Sequence, residues 1–179
     1  FHGTIGYTVE CGENNEASVT MGKYGLIGHT AYVAENKDDL YLNQLEFFRR
    51  ALNNEESPET EKWFVTQDNQ VEENFREKDE YGKFYPEYYV IPTDAASQRD
   101  IADAYFMQEY FIRNGVQVEK LTQDVTVNGV TYKAGAFVID MHQISRSFAN
   151  AVLYKGKIVK NWTGLFSESV TNFPELRGF

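Results

Sequence analysis

Tyr85-Pro86-Glu87-Tyr88-Tyr89-Val90-Ile91-Pro92 is the stretch from which the fold class follows. Tyr88 to Ile91 is an unbroken aromatic and β-branched run of strand length, closed by Pro92, which suits a buried strand. Thr93 or Asp94 can cap a helix after it, and the apolar spacing predicts that helix from about Ala96 to Arg113, with Ile101, Tyr105 and Ile112 turned inward. Asn114-Gly115 ends it, since both residues readily take the left-handed conformation that terminates helices. Val116 and Val118 then read as a second strand parallel to the first, completing a βαβ unit.

Working downstream, Asp124-Val125-Thr126-Val127-Asn128-Gly129-Val130-Thr131-Tyr132-Lys133 places two alternating segments around Asn-Gly, the preferred type I′ hairpin turn. Ala136 to Asp140 is another buried strand, and a helix is expected from about Ser145 to Leu153. Strand, helix, strand, hairpin, strand, helix describes an open α/β domain over residues 85–179. Its tail carries aromatic pieces around Trp162 and Phe166 and a loop with Phe173-Pro174, expected to pack back on the sheet.

Upstream lies an acidic connector, residues 55–84. Between Glu55 and Glu80 ten acidic residues stand against Lys62, Arg76 and Lys78, so most of the net charge of −10 sits there. A solvated surface or linker is the reading that fits such a run. Trp63, Phe64 and Val65 interrupt it as an apolar island, either a short strand or a plug. Before the connector, Tyr24 to Leu52 reads as helical, with Leu26, Ile27, Ala31, Val33, Ala34, Leu40, Leu45 and Phe48 at three- and four-residue spacings. A break is expected near Asn36 to Asp39, where Asp38 can cap a second segment. Asn53-Asn54 and Ser57-Pro58 end the helix and mark a boundary, and Cys11 to Lys23 has the composition of a loop.

At the start, Gly3-Thr4-Ile5-Gly6-Tyr7-Thr8-Val9-Glu10-Cys11-Gly12 alternates Ile5, Tyr7 and Val9 with small and polar residues, as a half-buried strand does. Glu10 stands at its end, where α/β enzymes commonly present catalytic groups. A solvated surface glutamate is the competing reading of the same position.

Composition narrows the function classes. Of 179 residues 42% are hydrophobic and 15% aromatic, which is globular rather than disordered. A net charge of −10 argues against a nucleic-acid partner, because phosphate binding draws on clustered Lys and Arg. One cysteine, Cys11, permits no intrachain disulfide. No apolar run is long enough to span a bilayer. Asn161-Trp162-Thr163 matches a glycosylation acceptor, a pattern short enough to arise by accident.

His2 to Glu10 and the helix from Tyr24 to Leu52 resemble the last strand and last helix of the catalytic domain in zinc carboxypeptidases of the carboxypeptidase A/T-like family. The resemblance implies that Glu10, in a Thr-x-Glu strand, is the general base and that Thr8 helps to line the specificity pocket. Such a base takes a proton from the attacking water and passes it to the leaving amine. The second domain is similar to one that follows the catalytic domain in a bacterial subset of the family. Tyr89-Val90-Ile91-Pro92, Arg113-Asn114-Gly115-Val116, Lys133-Ala134-Gly135-Ala136-Phe137-Val138 and Phe148-Ala149 are the landmarks.

The resemblance thus implies a carboxypeptidase remnant over residues 1–54, the linker 55–84, and an accessory domain over 85–179 whose layout is similar to class I glutamine amidotransferases. A peptide substrate, cell-wall peptides among them, and an extracellular or cell-envelope location go with it.

Three protein ligands are needed for a catalytic zinc, and the family takes two from a His-x-x-Glu pair. The residues three places after His2, His29 and His142 are Ile5, Tyr32 and Ser145. The expectation is therefore a C-terminal fragment, inactive alone, with the zinc, the carboxylate clamp and the N-terminal part of the fold upstream. His2, eight residues before Glu10, reads as structural or substrate-proximal. The second domain offers neither a cysteine nor a Gly-x-Ser-x-Gly elbow as nucleophile, and the chain lacks a Gly-rich phosphate loop. Asp140 with His142 can form a ligand or acid/base pair, or the histidine can serve a cap, and Arg146 can clamp an anion. The alternative function is a non-catalytic module that binds a polymer or partner protein.

Overall fold

The computed structural model describes residues 3, 6, 11–56, 83–154 and 173–179. Thr8, Glu10, His2, the island Trp63 to Val65, Ser57-Pro58, Asn161, Trp162 and Phe166 lie outside the described residues. The chain divides into two compact units, one of residues 3–49 and one that runs from Arg50 onward.

The first unit is helical. Helix α1 spans Glu16–Glu35 and α2 spans Lys37–Leu52, with the break at Asn36 where the spacing places it, although Asp38 lies in the first turn of α2 and does not cap it. Asn36 ends α1 by donating its backbone N–H to the Tyr32 carbonyl at 2.9 Å. The start differs from expectation: the loop-like composition up to Lys23 conceals two turns of helix. Asn15 accounts for this, because its side chain accepts from the Ser18 N–H at 3.0 Å and so satisfies a donor that the first turn leaves free. No residue of α1 is buried. Val19, Met21, Tyr24, Leu26, Ile27, Tyr32 and Val33 are all exposed, and a Cβ added at Gly22, Gly25 or Gly28 would meet open space. Gly3 lies close to α2. Its carbonyl accepts from Gln44 Nε2 at 2.6 Å, and a Cβ there would fall 2.6 Å from the Phe48 ring.

The second unit is mixed α/β with small antiparallel sheets. Its elements are β1 (Tyr88–Ile91), α3 (Ile101–Arg113), β2 (Glu119–Lys120), β3 (Val125–Val127), β4 (Val130–Tyr132), β5 (Phe137–Asp140), α4 (Arg146–Leu153) and α5 (Phe173–Arg177). Asp100, not Thr93 or Asp94, caps α3, accepting from the Asp103 N–H at 2.9 Å. Asp94 instead closes a turn by accepting from the N–H groups of Ala96 and Ser97, each at 3.1 Å, so the helix starts one turn later than the spacing suggests.

The expected parallel pairing does not form. The sheet order is β1-β5-β2, and β5 runs antiparallel to both neighbours. β1 and β2 therefore point the same way, joined through α3, with β5 between them. Val116 is not in the strand. Its N–H returns to the Phe111 carbonyl at 3.0 Å and its side chain is buried against the core, which delays the strand to Glu119. The β3–β4 hairpin then reverses the chain, and β5 enters the gap. Asn128 and Gly129, at φ 50° and 79°, both hold the left-handed conformation that a type I′ turn needs.

Register sorts the sheet faces. Tyr89 lies opposite Ile139 and Ile91 opposite Phe137, and this face joins Ala104, Met107 and Phe111 of α3 and Phe148, Ala149, Val152 and Leu153 of α4 in one core. Phe111, Met107, Ile139 and Met141 are the largest fully buried side chains, each stabilising by roughly 1.5–3 kcal/mol relative to exposure. No helix among the described residues is long and apolar enough to cross a membrane.

Candidate functional site

The end of β5 gathers the polar groups of the second unit. Asp140 pairs with Tyr88 across the sheet, and the Met141 N–H continues the ladder to the Glu87 carbonyl at 3.0 Å. That extension brings Glu87 to His142. Asp140 Oδ1 accepts from the His142 backbone N–H at 2.8 Å and lies 2.9 Å from His142 Nδ1. On the other side of the ring, His142 Nε2 is 3.6 Å from Glu87 Oε2. Glu87 also pairs with Lys83 through its other oxygen.

A carboxylate bonded to Nδ1 fixes the ring's tautomer and orientation and presents Nε2. The Asp140–His142 pair suggested by the sequence is thus formed, with Glu87 as a third member. The arrangement can hold or pass a proton between His142 and Glu87. The histidine side chain is 37% accessible, so water competes for that proton. Neither a hydroxyl nor a thiol nucleophile makes a hydrogen bond to this ring among the described residues. Cys11, exposed, belongs to the other unit.

Arg146 has a different role from the one the sequence suggests. The residue is 3% exposed, so its guanidinium is not presented to an anion in solvent. It stacks over the Tyr85 ring at 3.9 Å and donates from Nη1 to Asn54 Oδ1 at 3.1 Å. Asn54 passes the connection on, donating from Nδ2 to the Pro86 carbonyl at 3.1 Å. Burial lowers the Arg146 pKa from its ordinary value, against the attraction of the Tyr85 and Glu56 charges. Arg146 Nε and Ser147 Oγ are buried without a hydrogen-bond partner among the described residues. Through Asn54 and Tyr85 the arginine fastens the segment after Leu52 and the approach to β1 onto α4, all within the second unit.

Gln143 is buried and locks the turn after β5. Its Nε2 donates to the Asp140 and Gln117 carbonyls at 2.5 and 3.2 Å, and its Oε1 accepts from the Gln117 N–H at 2.8 Å. Tyr89 donates its hydroxyl to Asn150 Oδ1 at 2.8 Å, and burial first, then the neighbouring Tyr154 and Tyr85, push its pKa well above the usual tyrosine value. Glu87, Gln143 and the Tyr89–Asn150 pair carry no motif, and Glu87 meets His142 through the β1–β5 register, which no local sequence signal states.

Among the described residues no three His, Cys, Asp or Glu side chains gather to hold a metal ion. The described residues therefore do not themselves make a zinc centre. No family model matches the sequence, and no curated protein or solved structure matches it.

Proposed function

We propose that this chain is the C-terminal part of a zinc-dependent carboxypeptidase that hydrolyses C-terminal peptide bonds, with Glu10 as general base and Thr8 at the specificity pocket. The zinc ligands belong to the part of the enzyme upstream of these residues. The exposure of α1 carries the reading. A helix of 20 residues with no buried side chain, and with Val19, Tyr24, Leu26, Ile27 and Tyr32 all facing outward, has apolar surface that needs a further layer to cover it. The last helix of a catalytic domain, set behind a Thr-x-Glu strand, would have that need.

In this reading the second unit is the accessory domain. The class I amidotransferase-like layout rests on the order strand, helix, strand, hairpin, strand, helix alone, since every strand pairing among the described residues is antiparallel. The test is zinc content and release of C-terminal amino acids from peptides by the longer chain that contains these residues. One zinc per chain with release of single residues supports the proposal. A metal-free longer chain that leaves peptides intact refutes it and leaves a binding module.

A further inference from the structure

The last seven residues make a second set of contacts that the proposed activity does not use. Arg177 forms a two-pronged ion pair with Asp103, Nη2 to Oδ1 at 2.6 Å and Nε to Oδ2 at 2.8 Å, and Asp103 is the more enclosed partner, its side chain 16% accessible. The same guanidinium lies over the Phe106 ring at 4.8 Å. The Gly178 carbonyl accepts from the Asp100 N–H at 3.0 Å, Arg99 approaches Glu175 at 3.4 Å, and Phe173 and Phe179 pack against the edge of the core.

These partners, Arg99, Asp100, Asp103 and Phe106, lie at the cap of α3, just before it, or in its first two turns. Asp100 and Asp103 are also where a helix N-terminus stabilises negative charge, so the seat is set by α3 itself whether or not the tail occupies it. The tail is internally fixed as well: the Gly178 N–H donates to the Pro174 carbonyl at 2.8 Å, with Gly178 at φ 84°.

We propose that residues 173–179 form a latch that docks on the first turns of α3 and opens as a unit while the β1-β5-β2 sheet stays folded. Segments held by few buried contacts open at lower free energy than the core they cover. When open, the latch leaves an acidic and aromatic seat at Asp100, Asp103 and Phe106.

Amide hydrogen exchange on the whole chain tests this, with Arg177→Gln as the variant because it alters the latch and leaves the core sequence intact. The Asp100 and Gly178 amides should exchange about ten-fold faster or more once the charged two-pronged bond is lost, while the amides of β1 and β5 keep their rates. Equal acceleration of both sets would make the tail an integral part of the global fold and overturn the proposal. So would unchanged exchange at Asp100 and Gly178. Asp103→Asn, changed on the seat instead, should give the same pattern.

Discussion

Tyr89→Phe removes one oxygen from the interior and leaves Asn150 Oδ1 without its donor. Asn150 is 2% exposed and the lost bond is 2.8 Å long, so water has little access to replace it. An orphaned buried acceptor costs about 1–3 kcal/mol, which for a unit of this size lowers the thermal midpoint by roughly 3–6 °C per kcal/mol. Asn150→Leu should be costly on its own, and the double variant should recover part of the sum, giving a coupling energy of roughly 1 kcal/mol.

The same residue has a pH signature. Its folded pKa is raised by burial, so its contribution is complete below the ordinary tyrosine value of about 10. Above that pH the unfolded chain ionises while the folded one does not, and stability falls. Denaturant titrations at neutral pH and between pH 9 and 11 read both effects. The parent protein should lose stability faster than Tyr89→Phe as pH rises through 10. A variant within about 0.5 kcal/mol of the parent at pH 7, with the same alkaline slope, would refute the account of this pair.

Three further substitutions probe the fold. Phe111→Ala, in the core of the second unit, should cost about 3–5 kcal/mol in a denaturant titration, and a loss below about 1 kcal/mol would contradict the packing assigned to it. Gly129→Ala puts a side chain at φ 79° and should lower stability by about 1–2 kcal/mol, with nuclear magnetic resonance shifts confined to β3 and β4. Asn15→Ala should remove about 1 kcal/mol from the start of α1, seen by hydrogen exchange as fraying of its first turn.

Local chemistry made parts of the fold legible. Asn128-Gly129 states its turn because few residue pairs accept positive φ at both positions, and Asn114-Gly115 ends α3 for a related reason, with Gly115 at φ 79°. The apolar run Tyr88 to Ile91 matches its strand, and the run Ala136 to Asp140 exceeds β5 by one residue at its start. Periodicity reports which face of a strand is buried, not which strand lies beside it, so the insertion of β5 between β1 and β2 was not readable. The same limit hid the approach of Glu87 to His142, which depends on the ladder running one residue past Tyr88 and Asp140. The start of α1 was missed because Gly12, Asn14, Asn15 and Gly22 dominate the local composition, although Asn15 is itself the cap. Arg146 read as an anion clamp by type and position. Its burial under Tyr85 is set by contacts from residues 54 and 85, far away in sequence.

The proposed catalytic role falls on Glu10, and the most direct measurement is kcat/KM for release of a C-terminal residue by the zinc-dependent longer chain that we propose, with and without Glu10→Gln. Loss of about three powers of ten, with zinc content unchanged, is the expected result for a general base. Full activity of Glu10→Gln would contradict the proposal.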